Sequence, residues 1–99
     1  MMQVIEWAQF RTKEGVSEEQ VHAEARKAHD WLSIQPGYLE RRLTRSDDGG
    51  WVDCLFWVDM QTAKEAAGCI HDAPETQGFL ALMLPDQIDV RHFEVHIQF

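Results

Sequence analysis

Blocks of apolar residues at strand spacing and at helix spacing follow one another along this chain. Residues 3–12 are rich in strand-forming side chains and predict a first β-strand. In the next block the apolar residues recur three and four positions apart, which predicts an amphipathic helix that stops before Pro36. Ser17 and Gln20 stand at its start in the order of a capping box. Its apolar stripe consists of Val21, Ala25, Ala28 and Leu32.

The middle of the chain has the pattern of a β-hairpin. Strand-like segments at residues 38–45 and 51–58 flank a run of Asp and Gly residues, which accept the dihedral angles of a tight turn. Asp59 or Thr62 then caps a second helix, which is broken in two. Residues 89–99 alternate between apolar and polar side chains and predict a final strand that continues to the last residue.

The alternation within each strand predicts which side chains share a face of the sheet. One face of the third strand is apolar and is expected to lie under the helices; it consists of Val52, Cys54, Phe56 and Val58. The other face is mixed and carries Trp51, Leu55 and Trp57, with His92, Glu94 and His96 of the last strand. The last strand is expected to turn its apolar side to the core through Phe93, Val95, Ile97 and Phe99. The first strand leaves two alternatives for the core side, which are Val4, Ala8 and Phe10 or Ile5 and Trp7.

The order of elements, β-α-β-β-α-β, predicts an α+β protein with the ferredoxin-like arrangement. In that arrangement the helices cover one face of a four-stranded antiparallel sheet. No repeat, low-complexity tract or linker interrupts the pattern, so residues 1–99 are expected to form a single domain.

The mixed sheet face predicts self-association. Tryptophan side chains are large and apolar, and a sheet face that exposed them would be an adhesive patch. A second copy of the same sheet is the simplest cover, because most soluble oligomers are two-fold homodimers. We therefore expect a homodimer in which two sheets close into an eight-stranded barrel. The alternative is a monomer with a half-hydrated sheet.

Composition and charge exclude several classes of partner. A net charge of −8 argues against a nucleic-acid partner, which calls for a basic face. No apolar run approaches the roughly 20 residues of a membrane span. The first residues lack the pattern of a secretory signal. Cys54 and Cys69 lack the spacing of a metal or redox motif, so we expect reduced thiols and a cytoplasmic protein.

Four segments at the boundaries of the predicted elements resemble the antibiotic biosynthesis monooxygenase-like family of the dimeric α+β barrel superfamily. They are Phe10-Arg-Thr-Lys-Glu-Gly15, Gln35-Pro-Gly-Tyr38, Asp48-Gly-Gly-Trp-Val-Asp53 and Trp57-Val-Asp-Met-Gln-Thr-Ala63. In order they span nearly the whole chain, but each is loose and mostly structural. The resemblance therefore speaks more for the fold than for the chemistry.

The resemblance implies a pocket in each subunit between the sheet and the helices. For some members it also implies oxidation of phenolic or polycyclic compounds by dioxygen without metal, flavin or other cofactor. Another branch of the superfamily degrades haem with an Asn, Trp and His set. This chain contains no Asn, which argues against that activity.

Two histidines are candidate catalytic bases. His29 lies at the edge of the apolar stripe of the first helix, where its side chain can point into a pocket between helix and sheet. His92 serves the same role if the pocket opens on its face of the sheet. A histidine titrates near neutral pH and is suited to take a proton from a phenol.

Large apolar side chains are candidates for substrate binding. A flat cavity for an aromatic ligand is expected to be lined by Trp7, Trp57, Phe79 and Met83. The spacing His92-x-Glu94-x-His96 suggests a metal site, but the α-carbons of the two histidines are about 13 Å apart in a strand. We therefore expect no metal and interpret these residues as hydrogen-bonding and charge pairs.

Two hypotheses of different class follow. The first is a cofactor-independent monooxygenase that acts on a small aromatic or quinol-like compound, with His29 or His92 as base. The second is a non-catalytic protein with the same pocket that binds a small molecule or is associated with stress. Isomerase or lyase chemistry, which also occurs on this fold, is a third possibility.

Overall fold

The computed structural model describes residues 2–99 and confirms the predicted order of elements. Its four strands are β1 (Val4–Phe10), β2 (Tyr38–Arg45), β3 (Trp51–Trp57) and β4 (Asp89–Glu94). They form one antiparallel sheet in the order β2-β3-β1-β4. The helices are α1 (Glu18–Leu32), α2 (Met60–Cys69) and α3 (Pro74–Ala81), and a 3₁₀ turn (Ile70–Asp72) separates the last two. One sheet face is covered by the helices, so the ferredoxin-like α+β fold is confirmed.

Both predicted helix starts are capped as the sequence indicates. The Ser17 hydroxyl accepts a hydrogen bond from the Gln20 amide at 3.2 Å, and the Gln20 side chain accepts one from the Ser17 amide at 2.8 Å. Of the two residues considered for α2, Asp59 is the cap, because its carboxylate accepts a hydrogen bond from the Thr62 amide at 2.9 Å. Donors that helix geometry leaves unpaired are thereby satisfied.

Strand β1 turns its even-numbered residues to the helices, which resolves the alternative that the sequence left open. Val4 and Phe10 are almost fully buried, and Glu6 lies between them at 7% exposure. Trp7, which points to the other face, is 41% exposed. The presence of a carboxylate on the buried side explains why the alternation of this strand is hard to interpret from sequence.

The predicted facing of β3 is wrong. Trp51, Leu55 and Trp57 lie in the core under the helices, whereas Val52, Cys54 and Phe56 form part of the open face and are only partly buried. Both faces of this strand are apolar. Because Asp53 lies on the same face as the tryptophans, the sequence suggested that this face is the one in contact with solvent. Asp53 is nevertheless only 4% exposed, because Arg41 on the neighbouring strand neutralises it.

The predicted extent and facing of the last strand are also wrong. β4 ends at Glu94, and beyond it, among residues 2–99, only the Val95 amide continues the pairing, by donating to the Gln3 carbonyl. His92 faces the helices, while Phe93 points to the open face and is 47% exposed. The strand therefore turns its polar side chain to the interior, where Glu6 on β1 is its partner.

Candidate functional site

A cavity of about 430 Å³ lies between the helix-covered sheet face and the helical segment that contains α2, the 3₁₀ turn and α3. Its size is within the range of small-molecule sites. Its wall is mainly apolar and includes Leu55, Ile70, Phe79, Met83, Ile88 and Val90. Such a wall favours an apolar ligand.

Glu6 and His92 form a buried polar pair in the wall of this cavity. The two residues are opposite each other in the register of β1 and β4, and His92 Nε2 lies 3.0 Å from Glu6 Oε1. The side chain of Glu6 is 10% exposed and that of His92 is 7% exposed. Burial raises the pKa of Glu6 above its ordinary value of 4.5, although the hydrogen bond and positive charge of His92 act in the opposite direction.

The hydrogen bond between the two side chains determines what the pair can do chemically. When His92 Nε2 donates to the Glu6 carboxylate, the other ring nitrogen, Nδ1, holds a lone pair and is able to accept a proton. The carboxylate also stabilises the imidazolium that forms, as in other carboxylate–histidine pairs. The pair therefore has the hydrogen-bonding arrangement that a general base requires.

A second buried ion pair supports the cavity from the side of β2 and β3. The Arg41 guanidinium donates to both carboxylate oxygens of Asp53 at 2.8–3.1 Å and to the Ala25 carbonyl at 2.7 Å. It also lies over the ring of Phe79, 5.5 Å from the centroid. Asp53 lines the cavity, and its negative charge is one of the causes that raise the pKa of Glu6.

The helical wall of the cavity contributes two further polar residues, Lys64 on α2 and His71 in the 3₁₀ turn. The positive charge of Lys64 acts on Glu6 and lowers its pKa, against the larger effect of burial. Between them lies Gly68, which also lines the cavity. A Cβ atom added to Gly68 would have no heavy atom within 4 Å, so this part of the wall borders open space.

The structure brings three of the six predicted site residues to one cavity. His92, Phe79 and Met83 line it. His29 is exposed and lies in a separate depression beside α1 and β2, where it contacts Tyr38 edge to face. Trp57 is fully buried against Tyr38 and does not line the cavity, and Trp7 is on the opposite face of the sheet.

Glu6 and Lys64 line the cavity and were not predicted as site residues from the sequence. Glu6 had a signal, since it alternates with Val4 and Ala8 in a strand and so had to be buried if they were. The pairing of Glu6 with His92 had none, because it depends on the register of two strands distant in sequence.

The metal-like spacing of the last strand is not realised as a cluster. Within residues 2–99 no group of three or more His, Cys, Asp or Glu side chains is arranged to hold a metal ion. His96 lies beyond the end of β4. The same residues include no helix with the length and hydrophobicity needed to cross a membrane.

Comparison with known proteins gives a likeness of structure and not of sequence. No protein-family model matches the chain, and no curated protein matches it either. SnoaB from Streptomyces nogalater, a cofactor-independent oxygenase, is similar in structure, with a TM-score of 0.78 and 16% identity over 99% of this chain and 97% of SnoaB. The chain has the fold of the antibiotic biosynthesis monooxygenase-like proteins.

Two other solved structures support this comparison. A proposed antibiotic biosynthesis monooxygenase from Bordetella bronchiseptica has a TM-score of 0.77 and 14% identity over 98% of this chain and all of its own. A dimeric ferredoxin-like protein of unknown function from Jannaschia sp. CCS1 has a TM-score of 0.70 and 13% identity over 94% of this chain and 99% of its own. Identities of this size establish a shared fold, while function has to be argued from the site.

Proposed function

We propose that this protein is a cofactor-independent monooxygenase that oxidises a small phenolic or quinol-like compound in the cavity between sheet and helices. The observation that carries the proposal is the buried Glu6–His92 pair in a cavity whose wall is otherwise mainly apolar. An apolar wall suits the ring of the ligand, and the pair supplies a base beside it. The fold shared with SnoaB, itself a cofactor-independent oxygenase, supports the assignment.

The proposed reaction begins with transfer of the phenolic proton to His92, with Glu6 stabilising the imidazolium. The resulting anion is electron-rich and reduces dioxygen, and a C–O bond forms between ring carbon and oxygen. The peroxide anion takes up the proton held by His92 and becomes a hydroperoxide. The hydrogen on the same ring carbon then leaves as a proton while the O–O bond breaks, and this proton and the departing hydroxide form water. One oxygen atom remains on the ring as a carbonyl group and the other leaves as water. The substrate therefore supplies all the electrons.

We also propose that the protein is a homodimer built through the open sheet face. The sequence predicts the tryptophans of β3 on that face, but they are buried under the helices. The open face is apolar for other reasons, since it carries Trp7, Phe56 and Phe93. Two of these side chains are more than 40% exposed, and a second copy of the sheet would cover them.

Oxygen consumption with a panel of naphthols and naphthohydroquinones tests the proposed activity. We expect uptake above the rate of autoxidation, in proportion to protein, and a loss of 10²-fold or more in His92→Gln. His29→Gln distinguishes the two histidines that the sequence suggests as bases. If His29→Gln abolishes turnover and His92→Gln does not, the base is His29 and the role given to Glu6 is wrong.

The second candidate function is non-catalytic binding of a small aromatic molecule. It is supported by the mainly apolar wall of the cavity, which suits binding alone, and the fold does not by itself require catalysis. Saturable binding of the panel compounds with no oxygen uptake would support it. A product formed equally well under nitrogen would instead indicate isomerase or lyase chemistry.

A further inference from the structure

Lys64 differs from Arg41, the other cation near the cavity, in forming no direct ion pair among the described residues. Arg41 is neutralised by Asp53 at 2.8 Å. In contrast, no acidic side chain among residues 2–99 forms an ion pair with Lys64. Lys64 nevertheless lines the cavity wall. Its charge is therefore available to a ligand.

The neighbours of Lys64 on its helix leave space for that ligand. Lys64, Gly68 and His71 follow one another at intervals of four and three residues, which places them along one side of the helical segment. All three line the cavity, and the position of a Cβ atom on Gly68 is free of contacts within 4 Å. A ring lying against Gly68 would be about one helical turn from Lys64.

The charges around the cavity indicate what the positive charge of Lys64 can stabilise. The titratable groups that face it are Glu6, Asp53, Lys64, His71 and His92, with Arg41 behind Asp53. A phenol that loses its proton here becomes an anion in a space with two carboxylates in its wall. The His92 imidazolium is one positive charge near this anion, but it is hydrogen-bonded to Glu6, and Arg41 is paired with Asp53, so a further cation would stabilise the anion.

We propose that Lys64 stabilises the oxyanion of the bound phenol, so that the preferred ligands are those able to ionise as phenolates. This inference rests on the proposed function, because it assumes that an aromatic ligand occupies the cavity. It adds a positive charge to the wall of the cavity that also contains the Glu6–His92 pair. His92 takes the proton, and Lys64 stabilises the phenolate that results. This phenolate then gives electrons to dioxygen.

Titration of bound para-nitrophenol tests the inference without knowledge of the natural substrate. The neutral and ionised forms of this probe differ in colour, so its apparent pKa in the presence of saturating protein is read from absorbance. We expect the apparent pKa of the bound probe to be about one pH unit higher in Lys64→Met than in the wild type, since an exposed ammonium group is partly screened. Lys64→Arg should resemble the wild type.

Two controls separate the oxyanion from packing and from net charge. Lys13→Met removes one exposed positive charge elsewhere and should not change the titration. Para-nitroanisole has the same ring but cannot ionise, so its affinity should be equal for the wild type and Lys64→Met. The other titratable groups of the cavity are the same in all variants. A difference in the apparent pKa of the bound probe between variants is therefore due to Lys64.

The outcomes distinguish this inference from the function on which it rests. If para-nitroanisole binds and the titration of para-nitrophenol is the same in Lys64→Met and the wild type, the role of Lys64 is wrong and the aromatic site stands. If Lys64→Met weakens both probes equally, the residue acts by packing and the inference is likewise wrong. If neither probe binds the wild type, the proposed function fails and takes this inference with it.

Discussion

Glu6 Oε1 and His92 Nε2 lie 3.0 Å apart, although 86 positions separate the two residues in the sequence. They meet because β1 and β4 are neighbours in the sheet and pair in a register that sets them directly opposite. The raised pKa of Glu6 is therefore a property of the folded state, which burial creates and the unfolded chain lacks.

This relationship predicts a pH-dependent difference in stability between the wild type and Glu6→Gln. Above pH 4.5 the unfolded chain loses the Glu6 proton, while the folded state retains it to higher pH. The folded state then binds more protons, so the free energy of unfolding falls as the pH rises from 4.5 through the pKa of Glu6 in the fold. The fall is at most about 1.4 kcal/mol per pH unit. Glu6→Gln removes this contribution, so its stability relative to the wild type should increase over that interval.

Urea unfolding at a series of pH values measures the difference. Glu14→Gln is the control for loss of one carboxyl group, because Glu14 is exposed in the turn that follows β1. A stability difference between Glu6→Gln and the wild type that does not vary with pH would contradict the burial of an ionisable Glu6.

The sequence predicted the order and type of elements because these depend on local patterns. The capping box at Ser17 and the two-residue period of each strand are examples. The facing of β3 and β4 was not predictable in the same way, since both faces of the sheet carry apolar side chains and alternation alone cannot rank them. Arg41, the partner of Asp53, is on another strand, so the sequence does not show that the two are paired. Without that partner, burying the Asp53 carboxylate would cost too much free energy. The sequence thus predicted some apolar residues of the candidate site, but it did not predict most of its charged residues.

Removing one partner of the Arg41–Asp53 ion pair should destabilise the fold more than replacing both partners with apolar residues. The two side chains are only 6% and 5% exposed, so Asp53→Asn leaves a buried guanidinium without its counter-charge. We expect a loss of about 3–5 kcal/mol in the free energy of unfolding. The double variant Arg41→Met, Asp53→Leu should be more stable than Asp53→Asn, because no uncompensated charge remains. Denaturant unfolding of both variants checks this, and equal losses would contradict it.

Two glycines with the same backbone conformation provide a matched test of one close contact. Gly15 and Gly37 both have φ of +83°, but a Cβ atom on Gly37 would lie 2.3 Å from the Thr62 hydroxyl, while Gly15 has open space. Gly15→Ala should cost about 1 kcal/mol from the backbone alone. Gly37→Ala should cost more, since Thr62 is held by hydrogen bonds to Asp59 at the start of α2. Equal melting temperatures for the two variants would show that Thr62 moves aside freely.

A charge on the open sheet face should separate the proposed dimer. Trp7→Glu places a carboxylate at the centre of that face, and in a two-fold dimer each interface receives two of them. Ile34→Glu is the control, since Ile34 is 75% exposed just after α1 and away from the open face. Light scattering after size exclusion should find a dimer for the wild type and Ile34→Glu and a monomer for Trp7→Glu. A monomeric wild type would contradict the dimer directly.

Filling the space beside Gly68 should block the cavity without harming the fold. Gly68→Leu adds a bulky side chain to a residue that lines the cavity, at a position where an added Cβ meets no atom within 4 Å. We expect the affinity for para-nitroanisole to fall at least tenfold, while thermal stability stays equal or rises, since glycine inside a helix costs roughly 0.5–1 kcal/mol relative to alanine. Gly68→Ala is the matched control: it gains the same helix propensity, adds only one methyl group and should keep most of the affinity. If Gly68→Leu binds as tightly as Gly68→Ala, the ligand lies elsewhere, and the Glu6–His92 pair is then a structural feature of the core.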